Sequence, residues 1–133
     1  MRLAAPYTRA GDYGLFWVAL GCAVGPRRRT AVTVWGTLAA NYAVKQLVRR
    51  ERPGIRAHVP LPASSSFPSS HAAMSAAAAI VLSRRHPSLA PVWIALAAAM
   101  AASRVVVGAH HASDVAAGVL LGTATGAVLS GPR

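Results

Sequence analysis

Apolar residues in this chain come in long blocks, and arginine clusters or proline-rich turns separate one block from the next. The blocks cover residues 14–25, 30–48, 71–83, 91–107 and 113–129. An α-helix needs roughly 20 apolar residues to cross a bilayer, and most of these blocks approach that length. The pattern therefore predicts an all-α fold, a polytopic bundle of about five transmembrane helices that forms a single domain over residues 1–133. The first block is short for a crossing unless its helix begins near Ala10.

Prolines and small polar residues mark where the predicted helices begin and end. Pro53 disfavours helix at the residue before it and ends the second helix there. The prolines that follow make residues 54–70 a loop, and serine, a favoured N-cap, starts the next helix at Ser69–His71. If five crossings alternate between two faces, the segments 45–71 and 103–114 come to the same face of the bundle.

The amino-acid composition and net charge indicate what kind of partner the chain binds. The chain is 54% hydrophobic and carries a formal net charge of +11, with only three acidic residues. This charge would suit nucleic acid, but the arginines lie at the ends of apolar blocks, and no basic recognition helix or zinc pattern is visible. A membrane is the expected partner, because anionic headgroups attract basic residues that flank a span. Trp17, Trp35 and Trp93 are then expected to face lipid or the interface.

The last predicted helix carries a seam of small residues. Gly118, Gly122 and Gly126 recur every four residues, which lets another helix approach closely. The seam predicts helix packing inside the bundle, and a homodimer interface through the same face is the alternative.

The segment Ser103–Asp114 concentrates polar side chains in apolar surroundings, where they are costly and need a reason. His110 and Asp114 are four residues apart, so at the start of a helix they share one face and the carboxylate can hold one imidazole nitrogen. The other nitrogen is then free to attack a substrate. A structural His–Asp pair is the alternative for this pair alone. The residues themselves do not choose between His110 and His111, because Asp114 is reachable from both.

More polar groups fall on the same predicted face. They are three cations, another histidine and a serine pair: Lys45, Arg52, Arg104, His71, Ser69 and Ser70. Cations and hydroxyl donors without paired carboxylates describe a receptor for a multiply charged anion, and phosphate fits. The start of the helix at Ser69 adds free backbone N–H groups, and two histidines can divide the roles of nucleophile and general acid. No acidic cluster exists to hold a metal, so we expect none, and the cations must stabilise the transition state.

Three stretches carry a family resemblance. They are Lys45 to Pro53 (KQLVRRERP), Pro68 to His71 (PSSH), and Ser103-Arg104 followed after five residues by His110 and after three more by Asp114. In order and spacing they resemble the three signature motifs of the type 2 phosphatidic acid phosphatase superfamily, which also includes the vanadium haloperoxidases. The resemblance spans residues 41–129 and implies the helical core of that superfamily, which usually has six helices. It departs at Ser70, where the second motif usually has Gly; a position that required positive φ would strain a serine.

The resemblance implies a role for each matched residue. His110 attacks phosphorus and forms a phosphohistidine, while Asp114 orients His110 and stabilises its charge. His71 protonates the leaving oxygen and then activates the water that releases phosphate. The remaining matched residues bind the phosphoryl oxygens: Lys45, Arg52, Arg104, Ser69 and Ser70. No metal or other cofactor is implied.

The sequence thus predicts an integral-membrane phosphatase that acts on a phosphomonoester or pyrophosphate of an amphiphilic substrate. A polyprenyl carrier lipid phosphate, diphosphate or phosphoryl sugar phosphate is the first choice, and phosphatidylglycerophosphate or phosphatidic acid is the alternative. A noncatalytic protein that binds anionic lipid is the alternative from another class, and haloperoxidase chemistry is known from larger soluble proteins. We expect a multi-pass protein of the cell membrane. Its site is expected on the extracytoplasmic side, as in most lipid members of the family, although the arginines on the two faces are too evenly divided to decide the orientation.

Overall fold

Five α-helices make up the part of the chain that the computed structural model describes, residues 12–53 and 63–131. They are α1 (Leu15–Val24), α2 (Arg27–Val48), α3 (Ser70–Arg85), α4 (Ala90–Val106) and α5 (Ala112–Leu129), with short 3₁₀ turns at Asp12–Gly14 and Pro87–Leu89. Within those residues there is no strand. The predicted all-α fold is confirmed, and each helix lies within a few residues of a predicted block.

The alanine-rich α3 lies at the centre of the bundle and contacts the other four helices. Its short side chains let neighbouring helices approach closely from several sides. Four of these alanines are fully buried: Ala72, Ala73, Ala77 and Ala78. Both ends of α3 are therefore fixed, and its first turn, which carries His71, is held by the surrounding helices.

Two of the three tryptophans are core residues, which differs from the prediction. Trp17 is buried and its Nε1–H donates to Ser75 Oγ at 2.9 Å, while Trp93 packs in the same core cluster. Only Trp35 is exposed. The apolar blocks of the sequence do not show which side of a helix faces its neighbours, so the prediction was wrong for Trp17 and Trp93.

One face of α2 is polar although it is buried. Thr30, Thr33, Thr37, Asn41 and Lys45 follow one another at intervals of three or four residues and face the interior. Thr37 Oγ1 and Thr125 Oγ1 of α5 are 2.7 Å apart. The hydroxyls of Thr30 and Thr33 have no hydrogen-bond partner within the described ranges. This polar stripe ends at Lys45, so α2 delivers an ammonium group to one end of the bundle.

Two helical segments are long and apolar enough to cross a membrane, Pro87–Val106 and Ala112–Leu129. The segment Asp12–Val24 is apolar but shorter. α2 is long enough to cross, but the arginine triplet at its start and its polar stripe make it too polar to meet the same criterion. Two of the five predicted crossings therefore meet the criterion, and the other three stay predictions.

The glycine seam of α5 packs against α3. A Cβ on Gly118 would lie 2.5 Å from the carbonyl oxygen of Ser69, and one on Gly122 would overlap the carbonyl oxygen of Ala73. Packing inside the bundle is therefore confirmed. The alternative, a homodimer through this face, finds no support, because α3 already covers the three glycines.

We expect Gly122→Ala to destabilise the fold by about 1–3 kcal/mol, the usual range for overpacking. The new methyl group would meet backbone atoms of α3, which can yield only if the helices separate. Thermal unfolding in detergent micelles measures the effect. Gly36→Ala is the matched control, because its Cβ would meet only the flexible end of Leu129. Equal melting temperatures for the two variants would contradict the close approach of α3 and α5.

Candidate active site

A cavity of about 160 Å³ opens where the end of α2, the start of α3 and the α4–α5 connection meet. It is lined by Asp12, Tyr13, Leu38, Tyr42, Lys45, Arg52, Ser64, Ser70, His71, Met74, Arg104 and His110. Six of the eight predicted site residues are in this lining, and the other two, Ser69 and Asp114, are buried behind it. The predicted convergence of three separate stretches on one end of the bundle is therefore what the structure shows.

The imidazole of His110 is held with one nitrogen bonded and the other beside a cation. Its Nδ1 is 2.7 Å from the carbonyl oxygen of Ser66, and only a protonated nitrogen can donate to that oxygen. Nε2 is 3.4 Å from an Arg52 guanidinium nitrogen. Burial, and then the positive charges of Arg52, Arg104 and Lys45, lower the pKa of His110 to about 3. At neutral pH the ring is therefore uncharged, and Nε2 carries a lone pair suited to nucleophilic attack.

Asp114 is fully buried next to His110 but is not its hydrogen-bond partner. Its Oδ2 is 3.7 Å from His110 Nδ1, beyond hydrogen-bonding distance. Oδ1 accepts from Arg50 at 2.8 Å, and Oδ2 accepts the backbone N–H of His111 at 2.9 Å in the first turn of α5. This corrects the predicted direct orientation of His110 by Asp114: both oxygens have other donors, and the Ser66 carbonyl takes the imidazole proton. Asp114 remains close enough to stabilise a positive charge on the ring.

The three predicted cations all reach the cavity, but their surroundings differ. Lys45 Nζ donates to the carbonyl oxygen of Ser65 at 2.6 Å, and Arg52 donates to the carbonyl oxygen of Ala109 at 2.9 Å. Arg104 is only 3% exposed, and its Nε and one terminal nitrogen find no partner among the residues described. A buried charge without a partner is strongly unfavourable unless something compensates it. The cavity is therefore suited to an anion that would pair with Arg104.

The two serines at the start of α3 have different roles. Ser69 is the N-cap, with its hydroxyl accepting the N–H of Ala72 at 3.4 Å and its own N–H donating to the carbonyl oxygen of Asp114 at 2.9 Å. Its side chain does not line the cavity, so the structure does not bring the Ser69 hydroxyl to the predicted phosphate site, and binding through the backbone amides at the start of α3 stays a prediction. Ser70 has a helical backbone, and its hydroxyl donates to Asn41 Oδ1 at 2.7 Å. A serine in place of the usual glycine is thus unstrained here.

Several residues of the site have no signal in the sequence that we recognised. Asp12 is one: its Oδ1 accepts from His71 Nε2 at 3.0 Å, although 59 positions separate the two residues. Arg50 and Ser66 are others, since Arg50 reads as an interfacial charge and Ser66 contributes only its carbonyl group. The position of Asn41 near the site could have been predicted, because Asn41 lies one helical turn before Lys45 and shares its face of the helix.

A metal-binding cluster is not seen in the described segments, where no three His, Cys, Asp or Glu side chains come together. The groups around the cavity are instead cations, hydroxyls and two imidazoles. Their arrangement can bind an anion and supply both a nucleophile and a proton donor.

Comparison with known proteins identifies the family. The sequence model of the PAP2 superfamily matches residues 28–131. The chain belongs to the PAP2 superfamily. The resemblance of its three motifs to that family is confirmed, and this PAP2 chain is accordingly a phosphatase, a hydrolase of phosphoric esters.

Relatives of this PAP2 chain are also named as phosphatases. It is 38% identical over 130 residues to the decaprenylphosphoryl-5-phosphoribose phosphatase of Mycobacterium tuberculosis, covering 90% of this chain and 72% of the relative. The phosphatase of the same name from Mycolicibacterium smegmatis is 37% identical over 119 residues, covering 81% of this chain and 65% of the relative.

A solved structure shows the same fold. The crystal structure of a transmembrane PAP2-type phosphatidylglycerolphosphate phosphatase from Bacillus subtilis superposes with a TM-score of 0.82. It is 22% identical in sequence, and the match covers 96% of this chain and 73% of that one. The helical core predicted from the motifs is therefore confirmed as the PAP2 fold.

Proposed function

We propose that this PAP2 chain is a multi-pass membrane enzyme that removes the terminal phosphate from a polyprenyl-phosphoryl sugar phosphate through a phosphohistidine at His110. One observation carries the proposal. The uncharged imidazole of His110 lies beside Arg52 in a cavity where two nitrogens of the buried Arg104 guanidinium have no hydrogen-bond partner among the described residues. A phosphate group in this cavity would pair with Arg104 and bring phosphorus to Nε2 of His110.

In the first step, Nε2 of His110 forms a bond to phosphorus while the bond between phosphorus and the leaving oxygen breaks. Lys45, Arg52 and Arg104 hold the phosphoryl oxygens and neutralise the charge that spreads over them in the transition state. His71 gives its Nε2 proton to the leaving oxygen. In the free enzyme Asp12 accepts this hydrogen bond, and its side chain, 54% exposed, has room to move aside.

In the second step, a water oxygen forms a bond to phosphorus and the N–P bond breaks. His71 takes a proton from this water, and inorganic phosphate leaves. Asp114, 3.7 Å from Nδ1, stabilises the imidazolium of the intermediate. The three cations supply the charge that a metal ion provides in other phosphatases, so we propose that no metal takes part.

The choice of substrate rests on the named relatives. At 37–38% identity, both act on a decaprenylphosphoryl phosphosugar according to their names. The Bacillus neighbour is only 22% identical and supports the fold alone. A polyprenyl-linked sugar phosphate is therefore favoured over phosphatidylglycerophosphate or phosphatidic acid.

We also propose that all five helices cross the membrane and that the cavity opens on the extracytoplasmic side. Large apolar side chains are exposed on the outer faces of α4 and α5, among them Ile94, Leu120 and Val128. Lipid would cover these faces. The arginines at the other end of the bundle, at positions 27–29 and 84–85, lie at helix ends beside short connections without acidic residues, which favours that end as cytoplasmic.

A substrate panel tests this proposal. Phosphate release is measured in detergent from a polyprenyl-phosphoryl pentose phosphate, a polyprenyl diphosphate, phosphatidylglycerophosphate and phosphatidic acid, each with and without EDTA. We expect the first substrate to give a kcat/KM at least about tenfold above the others, since a site discriminates by contacts worth a kcal/mol or more. EDTA should leave the rate unchanged. A preference for phosphatidylglycerophosphate would contradict the assigned substrate, and loss of activity in EDTA would contradict the metal-free mechanism.

A further inference from the structure

Arg50 contacts both Asp114 and Ser66, the two residues next to Nδ1 of His110, although it does not line the cavity. One terminal nitrogen of its guanidinium is 2.8 Å from Asp114 Oδ1 and 2.7 Å from Ser113 Oγ. The Asp114 carboxylate is fully buried, whereas the Arg50 side chain is 39% exposed. The ion pair therefore joins the segment after α2 to the first turn of α5.

The backbone of Arg50 holds the other neighbour of His110. Its carbonyl oxygen accepts the N–H of Ser66 at 2.9 Å and lies 3.3 Å from the hydroxyls of Ser65 and Ser66. Ser66 in turn presents its carbonyl oxygen to Nδ1 of His110. A single residue thus fixes both Ser66, through its main chain, and Asp114, through its side chain.

The charge of Arg50 decides what Asp114 can do. Without Arg50, Asp114 Oδ1 would lose its side-chain donor, and the ring proton on His110 Nδ1 lies only 3.7 Å from Oδ2. The charged groups that lower the pKa of His110 are all cations: Lys45, Arg52 and Arg104. Arg50 therefore holds the Asp114 carboxylate in place, at a distance where it stabilises an imidazolium without drawing the ring away from Ser66.

We infer that Arg50 is a positioning residue for the His110 nucleophile, acting through Asp114. The inference rests on the proposed phosphohistidine mechanism. This role differs from that of a substrate-binding arginine. The Arg50 guanidinium contacts Asp114 and Ser113, and Arg50 is not part of the lining of the phosphate cavity.

The test is a double-mutant cycle between Arg50 and Asp114, with kcat and KM measured on the best substrate of the panel. We expect Arg50→Met to lower kcat by about tenfold to a hundredfold and to change KM by less than about twofold. Asp114→Asn should have a similar effect. The double variant R50M/D114N should be no slower than D114N, because Arg50 has nothing left to act on. Arg50→Lys keeps the charge and should recover part of kcat.

Arg49→Met is the matched control, since Arg49 is exposed and its Nε donates to the carbonyl oxygen of Gln46 in its own helix; this variant should match the unaltered chain. If R50M fails to fold because Asp114 is left unpaired, R50K and R50M/D114N still give the comparison, since neither leaves a buried charge alone. Additive losses in the double variant, or a raised KM with unchanged kcat, would overturn the inference. An active His110→Ala variant would instead overturn the proposed mechanism, whatever Arg50 does.

Discussion

Replacing His110 with alanine is expected to lower kcat by at least about a thousandfold, because removal of a nucleophile leaves only binding and electrostatic stabilisation. The loss should fall on kcat rather than on KM, since the proposed phosphate ligands Lys45, Arg52 and Arg104 remain in place. Rapid-quench labelling with a ³²P-labelled substrate should show an acid-labile phosphoenzyme in the unaltered chain and none in the variant.

The neighbouring histidine provides the control for this experiment. His111 is the N-cap of α5 and contributes its backbone N–H to Asp114. His111→Ala keeps that N–H, so its kcat should stay within a few-fold of the unaltered chain. Full activity in His110→Ala together with loss in His111→Ala would reassign the nucleophile to the second histidine.

Replacing Arg104 with methionine is expected to change activity and stability in opposite directions. The guanidinium is buried in α4 with two nitrogens unpaired among the described residues, so its removal should leave the melting temperature unchanged or higher. Phosphate turnover should fall by about two to three orders of magnitude in kcat/KM, the usual loss when one donor to a transition-state anion is removed. Thermal unfolding and steady-state kinetics on the same purified protein give both values.

Two comparisons make the Arg104 result specific. Arg85 lies at the other end of the bundle and is exposed, so Arg85→Met should leave kcat/KM unaltered. Excess inorganic phosphate or vanadate should raise the melting temperature of the unaltered chain and have less effect on R104M. A marked drop in the melting temperature of R104M would show that the protein itself satisfies this guanidinium.

Much of this architecture could be predicted from the sequence because the relevant signals are local or periodic. Apolar blocks gave the five helices, and the alternation of crossings brought His71, Arg104 and His110 to one end. The glycine seam predicted close helix packing inside the bundle, since a four-residue repeat of glycines lets another helix approach, but it did not show that the partner is α3.

The finer geometry could not be predicted, and the reasons are physical. The partner of His110 is a backbone carbonyl, which every residue carries and no motif marks. Asp12 reaches His71 from a segment 59 positions away, so their contact depends on how α1 packs. The spacing of His110 and Asp114 correctly predicted that the two side chains lie close together, but the predicted hydrogen bond between them is not formed. The donors that Asp114 has instead, Arg50 and the backbone at the start of α5, are set by the tertiary structure.

The buried polar face of α2 has a consequence for biogenesis. A helix that carries three threonine hydroxyls, an amide and an ammonium on one side partitions poorly into hydrocarbon by itself. One of its partners, Thr125, lies 88 positions after Thr37 in the chain. In the proposed five-span arrangement, α2 therefore gains this partner only after α5 has been synthesised, so its final packing in the bilayer is a late step of assembly.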